Sequence, residues 1–331
     1  MRRALMLAAT PGVPEGPNPR VGAVLLSASG EEIAAGYHRG AGTSHAEVEA
    51  LRQAGELARG ATAVITLEPC NHTGRTGPCA QALIAAGMAR VVFAQADVSR
   101  QAAGGAIAIR AAGVGFEGGL RAAEADALNP VWTRASTLDR PLVTWKFAAT
   151  LDGRSAAADG TSRWITGNLA RADVHRLRAR CDAILVGTGT ALADDPRLTV
   201  RSGDGTPFPA DNQPLRAVMG MRELPSDAAV LDDQARTVLL RTRQPAEALA
   251  ELHSRGCMHV WLEGGPRLAA AFLAAGVVDE VIAYVAPLLL GAGPPAVEEL
   301  GITTLADATP FALIDVTRLG DDVRLTLEGK S

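Results

Sequence analysis

Aromatic residues are scarce: the 331-residue chain has four Trp, two Tyr and six Phe, 4% in all. Hydrophobic residues still make up 47%, so the core must be built from Ala, Val, Leu and Ile. Cysteine is scarce as well. Of Cys70, Cys79, Cys181 and Cys257, only the first two are close in sequence, which excludes the paired framework of a small secreted domain. Neither sign of charge dominates. The net charge is −4, so no overall pull toward nucleic acid or an anionic membrane follows. No apolar run is long and Pro-free enough to cross a bilayer. The opening MRRALMLAAT has a shorter apolar part than a secretion signal and runs into PGVPEGPNP, not a small-residue cleavage site. It reads as a surface helix. A soluble, cytoplasmic protein is expected.

What is present is alternation of strand and helix periods. Val21–Ser27 and Glu31–Tyr37 predict a hairpin about Ser29-Gly30. His45–Arg59 predicts a helix stopped by Gly60, and Thr62–Glu68 a buried strand. Pro78–Ala86 predicts a helix with Pro early and Gly87 past its end, and Ala89–Gln95 the next strand. This is an α/β layer architecture. A helix over Ala122–Thr137 leads to Asp139-Arg140-Pro141, where a fresh strand, PLVTWKFAAT, begins. The domain boundary is placed there, and the length suits two domains. Further strands are predicted at Ala183–Val186, Arg216–Met219, Thr237–Leu240, His259–Leu262 and Glu280–Val285, with a last hairpin turning at Gly320-Asp321.

The first half carries HAE at His45 to Glu47 and EPC ending at Cys70, with Cys79 nine positions on. One nitrogen and two thiolates are a three-ligand zinc set, leaving the fourth position to water. Such a water is acidified, and Glu47, two residues from His45, is spare to move its proton. That combination is the chemistry of hydrolytic deamination of a base-like ring. Two buried free thiols or a structural zinc are the bland alternatives, and a structural zinc has no use for the spare carboxylate. The spacing between the cysteines is longer than the common short form. His72, between them, reads as a loop or substrate contact.

PNPRVGAVL, GYHRGAGTSHAEVEAL, ATAVITLEPCNHTGRTGPC and ALIAAGMARVVFA resemble the deaminase half of the bifunctional riboflavin-biosynthesis deaminase/reductase family. The long inter-cysteine loop with HTGRT is that family's variant. The resemblance implies a cytidine-deaminase-like, three-layer α/β/α domain over 1–138. It implies zinc on His45, Cys70 and Cys79, proton shuttling by Glu47, and Asn18 lining the pyrimidine pocket. Asn18 is equally readable as a turn residue. One departure is ADVSRQAAGG after Gln95, which lacks the prolines of the family's loop.

The second half has no G-x-G-x-x-G after a strand. It has two other glycine-rich junctions, VGTGT at Val186 to Thr190 and Gly264-Gly265-Pro266, which suit a nucleotide phosphate or an ordinary tight turn. KFAATLDGRSAAADGTSRWIT, DAILVGTGTALADDPRLTVR and WLEGGPRLAAAFLAAGVVDE resemble the same family's reductase domain. That implies a dihydrofolate-reductase-like α/β fold over 139–331. Ala148, Trp164, Thr190, Asp194 and Gly265 would contact NADPH. Ser162, Arg178, Leu198, Arg201 and Glu263 would contact a phosphorylated pyrimidine substrate, the two arginines holding its phosphate. Lys146 and Glu263 are the candidates beside the carbon that is reduced. A second departure is Gly220, where the family usually has Asp. The resemblance thus implies zinc-dependent deamination of 2,5-diamino-6-(5-phosphoribosylamino)pyrimidin-4-one, then NADPH reduction of 5-amino-6-(5-phosphoribosylamino)uracil. A homo-oligomer with no nucleic-acid or membrane partner is expected. The rival readings are a nucleic-acid base deaminase with an accessory C-terminal domain, or a zinc-stabilised binding module. Cys181, Cys257, His175, His253 and His259 are read as structural.

Overall fold

A computed structural model describes residues 1–14, 16–72, 77–99, 104–203 and 205–330. The chain divides into two compact units, Met1–Asp139 and Arg140–Ser331. The first runs α1 (Arg2–Ala8), β1 (Gly22–Leu26), β2 (Glu32–Tyr37), α2 (Ala46–Ala54), β3 (Thr62–Leu67), α3 (Cys79–Ala85), β4 (Arg90–Gln95), α4 (Gly105–Ala111), β5 (Gly115–Gly118), α5 (Ala122–Asp126) and α6 (Pro130–Leu138). Its five strands are ordered β2-β1-β3-β4-β5. The hairpin is antiparallel, and the β3-β4-β5 side is parallel.

Two glycines explain how the helices cover this sheet. A Cβ on Gly22 would lie 2.1 Å from the Ala4 carbonyl oxygen in α1, and one on Gly36 would lie 2.5 Å from that of Ala46 in α2. Gly36 is paired with Ala23, the neighbour of Gly22, so the two glycines face opposite sides of the pleat. Helices α1 and α2 therefore pack closely on opposite faces, giving three layers. On the α1 face, Leu5, Ala94 of β4 and Ala125 of α5 form one apolar cluster.

The sequence reading differs from the structure in two helices. The helix predicted over Ala122–Thr137 is two, because Pro130 lacks an N–H and opens α6 instead of continuing α5. The helix predicted over His45–Arg59 ends at Ala54 and finishes as a 3₁₀ turn, Gly55–Ala58. Elements α4 and β5 were not predicted. Strand β5 has four residues, two of them Gly, and no buried side chain, so no alternation marks it.

The second unit runs β6 (Leu142–Thr150), α7 (Asn168–Arg178), β7 (Ala183–Gly187), α8 (Thr188–Asp194), β8 (Leu215–Met219), β9 (Thr237–Leu240), α9 (Pro245–Ser254), β10 (His259–Leu262), α10 (Pro266–Ala274), β11 (Glu280–Ala286), β12 (Phe311–Leu319) and β13 (Asp322–Gly329). Eight strands are ordered β12-β13-β11-β6-β10-β7-β8-β9. The six from β11 to β9 are parallel, and the β12-β13 hairpin is antiparallel. Val143, Trp145, Leu185, Leu249 and Phe272 fill one face beneath α9 and α10. Val174, Ile184, Val186, Trp261 and Tyr284 fill the other beneath α7. Residues alternate between faces along a strand, so Lys146, between Trp145 and Phe147, is on the α7 face. The carboxyl ends of β6, β10, β7 and β8 lie in a row. In parallel sheets this is where ligands bind.

Candidate functional sites

In the first unit, three elements bring His45, Cys70 and Cys79 together. His45 is the cap residue before α2, Cys70 follows β3, and Cys79 opens α3. The His45 Nδ1 lies 3.2 Å from Cys79 Sγ and 3.7 Å from Cys70 Sγ. The three ligand atoms all fall within 4.8 Å of one another, with both cysteines buried. The Cys79 N–H, at the start of its helix, points to Cys70 Sγ at 3.5 Å. A hydrogen bond from the Cys79 thiol, and then His45, hold the Cys70 thiol down to about 4. The same shared proton and burial push Cys79 up. A hydrogen bond with Cys70 raises the His45 imidazole. A nitrogen and two sulfurs at this spacing fit zinc.

Glu47 is buried, 5% exposed, in the first turn of α2. Burial pushes its carboxyl up to about 7, with His45 and Cys79 among its neighbours. Such a carboxyl can take and return a proton near neutral pH.

Asn18 meets a residue that the sequence reading passed over. Its Nδ2 is 3.1 Å from His38 Nε2, and His38 Nδ1 is 3.0 Å from the Ser44 carbonyl oxygen. The His38 Nδ1–H thus donates to Ser44, and its Nε2 accepts from Asn18. His38 is buried, and its ring stands edge-on to His45 at 5.4 Å. The signal was available in GYHRG, a His directly after the alternating strand β2. His72 has its Nδ1 buried without a hydrogen-bond partner among the described residues. The rest of the HTGRT loop and residues 100–103 of the changed ADVSRQAAGG loop lie outside the described residues. Glu68 holds both sides of that second loop, accepting from the Asp97 N–H at 3.3 Å and from the Ala106 N–H at 2.9 Å.

In the second unit, Arg178 at the end of α7 grips Glu263, just after β10. Nε donates to Oε1 at 2.6 Å and Nη2 to the second oxygen. Trp261 Nε1 also donates to Glu263. Burial alone would raise the Glu263 carboxyl, but Arg178, Lys146 and these hydrogen bonds hold it at about 2. Burial lowers the Lys146 ammonium, with Glu263 opposing that and Arg178 adding to it. His175, one turn before Arg178, is pulled down to about 4 by burial and by Arg178, with Arg201 and Lys146 nearby. The sequence reading left it structural.

The other predicted residues are placed as follows. Thr190 Oγ1 accepts the Gly265 N–H at 3.2 Å, so the two glycine junctions touch. Ala148 is paired with Tyr284 on β11. Asp194 offers its carbonyl to Arg163. Leu198 is buried with φ +51°. Arg201 Nε reaches Thr199 Oγ1 at 3.5 Å. Ser162 and Trp164 are exposed, with Arg171 stacked 4.3 Å above the Trp164 ring. A Cβ on Gly264 would lie 2.4 Å from the Leu268 side chain, so glycine lets α10 pack closely against the end of β10. At Gly220, φ is +140° and a Cβ would lie 2.6 Å from Thr188 Oγ1, so an aspartate there would be strained and would push the Thr188 side chain aside.

The family model for the cytidine and deoxycytidylate deaminase zinc-binding region matches residues 1–95, and that for the RibD C-terminal domain matches residues 141–325. The chain belongs to the RibD family. The riboflavin biosynthesis protein RibD of Mycobacterium tuberculosis (strain ATCC 25618 / H37Rv) is 49% identical over 94% of this chain and 91% of its own length. That of Escherichia coli (strain K12) is 40% identical over 99% and 98%. A structure of Acinetobacter baumannii RibD matches with a TM-score of 0.84 and 38% identity, over 100% of this chain and 98% of that one. A Thermotoga maritima diaminohydroxyphosphoribosylaminopyrimidine deaminase/5-amino-6-(5-phosphoribosylamino)uracil reductase matches with a TM-score of 0.78 and 30% identity, over 100% and 97%. Like other RibD proteins, the chain is a bifunctional deaminase/reductase of riboflavin biosynthesis with two α/β domains. No helix among the described residues is long and apolar enough to cross a membrane.

Proposed function

We propose that the Met1–Asp139 unit deaminates 2,5-diamino-6-(5-phosphoribosylamino)pyrimidin-4-one and that the Arg140–Ser331 unit reduces 5-amino-6-(5-phosphoribosylamino)uracil with NADPH. The observation that carries the reading is the His45, Cys70 and Cys79 cluster with buried Glu47 beside it. His45, Cys70 and Cys79 hold zinc, which when bound supplies a Lewis acid that acidifies water. Glu47 takes a proton at its carboxylate and returns it to the departing amine. Asn18, fixed by His38, orients the pyrimidine.

In the reductase, NADPH supplies a hydride when bound. Thr190 and Gly265, joined by their hydrogen bond, line its site with Ala148, Trp164 and Asp194. Lys146 holds a proton at the ribosylamine nitrogen, and Glu263 fixes both Lys146 and Arg178 by charge. Ser162, Leu198 and Glu263 contact the substrate, and its phosphate is held by Arg201 with Arg178, whose guanidinium also grips Glu263. Four cysteines, none in a disulfide among the described residues, support a reducing, cytoplasmic setting. Self-association is supported by β12, the edge strand of its sheet, which exposes Leu313, Ile314 and Val316. The test is a coupled assay of the purified full chain. Diaminopyrimidinone consumption without NADPH and NADPH oxidation only after deamination are expected. Turnover of single-stranded DNA or tRNA instead would overturn the substrate assignment.

A further inference from the structure

The glycine junction at Gly187–Thr190 sits beside a cation that nothing in the proposed site uses. Strand β7, its Gly187–Thr190 turn, α8 and the parallel neighbour β8 form one βαβ unit. This unit lacks the G-x-G-x-x-G of Rossmann dinucleotide-binding units but shares their strand–turn–helix–strand order, and in those units the end of the second strand faces the adenine ribose. An acid there binds the ribose hydroxyls, whereas an arginine accommodates a 2′-phosphate. Here the register pairs Gly187 with Met219, so the end of β8 is level with the turn. The next residues are Gly220, Met221 and Arg222. Gly220 offers no acidic side chain at the strand end.

Arg222 takes the place beside the turn. Its Nη2 lies 3.2 Å from where a Cβ on Gly189 would stand, so the guanidinium rests directly over the bare glycine. Neighbouring charge does not neutralise it. Glu223, the adjacent acid, accepts from Arg241 Nη2 at 2.7 Å. Arg241, just past β9, turns its Nη1 to the Arg222 carbonyl at 3.2 Å. No hydrogen bond or ion pair engages the Arg222 guanidinium among the described residues, and the side chain is exposed. The order of parts along the sheet also agrees. Lys146 is on β6, Glu263 follows β10, Thr190 follows β7 and Arg222 follows β8. A dinucleotide laid across those strand ends with its reactive ring at Lys146 brings its adenosine to Arg222.

We propose that Arg222 recognises the 2′-phosphate of NADPH and thereby sets the choice of NADPH over NADH. The inference rests on the reading that this unit binds a nicotinamide dinucleotide. A guanidinium–phosphate contact is charge-assisted and bidentate. Hydrogen bonds to charged groups are worth enough to change affinity about ten- to a hundredfold.

The test uses the full chain and fluorescence titration with NADPH and NADH, and calorimetry with adenosine 2′,5′-bisphosphate against adenosine 5′-monophosphate. Arg222→Gln and Arg222→Lys are compared with the wild type. The glutamine variant is expected to lose about tenfold or more in affinity for NADPH and for the bisphosphate. Its affinity for NADH and the monophosphate should stay within about threefold, and the lysine variant should fall between. Unchanged preference for NADPH in Arg222→Gln overturns the proposal while leaving the dinucleotide reading intact. Equal losses for NADPH and NADH overturn it as well. If the wild type binds neither dinucleotide, the reading beneath it fails too.

Discussion

Arg178 and Glu263 are 85 positions apart in sequence, yet the guanidinium Nε of one donates to the carboxylate of the other at 2.6 Å, with both side chains largely buried. The pair closes α7 onto the end of β10. Its stability has a pH signature. The Glu263 carboxyl falls from an ordinary 4.5 to about 2 in the fold. A depressed carboxyl contributes stability that is fully present above its unfolded value and is lost as pH falls through the folded one. The window is therefore pH 4.5 down to about 2, and the contribution is roughly 3 kcal/mol. Glu263→Gln leaves Arg178 buried without its partner, a loss of about 3–5 kcal/mol near neutral pH. Calorimetric melts of wild type and variant at several pH values check this. The gap in Tm should narrow as pH drops below 4.5, and a constant gap would refute the ion-pair account.

Cys79→Ala tests the metal set. Three ligands with an open fourth position imply about one zinc per chain in the wild type. Removing one thiolate leaves a two-ligand site, so metal content measured by mass spectrometry should fall to a trace. Full zinc retention would remove Cys79 from the ligands.

Glu47→Gln keeps the shape of a buried side chain and abolishes its proton chemistry. Deamination should fall about 10²–10⁴-fold. Zinc content and reduction of a substrate already deaminated should be unaffected. Near-normal deamination would sink the role given to Glu47.

Sequence reading succeeded where one local pattern determined the outcome. His45, Glu47, Cys70 and Cys79 sit at ends of helices and strands whose periods are plain, so their meeting followed from the elements. The glycine junctions at Gly187–Thr190 and Gly264-Gly265 were visible for the same reason. What escaped was pairing over distance. No local pattern says that Arg178 spends its guanidinium on Glu263, that Asn18 leans on His38, or that Arg222 lies over Gly189. Each contact is made by strand order and register, which a single sequence does not print. The split of Ala122–Thr137 is legible in Pro130, whose missing N–H ends α5 and suits the first position of α6.

Lys146→Ala separates chemistry from cofactor binding. Lys146 lies on the α7 face of β6, and its ammonium, lowered by burial, is opposed by Glu263. Truncation leaves Glu263 still held by Arg178 and Trp261, so the fold has no newly orphaned carboxylate. The glycine junctions that would hold the dinucleotide stand on other strands, β7 and β10. NADPH affinity, read by fluorescence titration, should therefore change less than about threefold, while the loss of a group that holds a proton at the reacting nitrogen should slow the hydride step about 10²-fold or more. Stopped-flow NADPH oxidation with deaminated substrate reads that step directly. A transfer rate like that of the wild type, with NADPH affinity lost, would move Lys146 to the cofactor site. Glu263 would then be the one charged candidate left beside the carbon that is reduced.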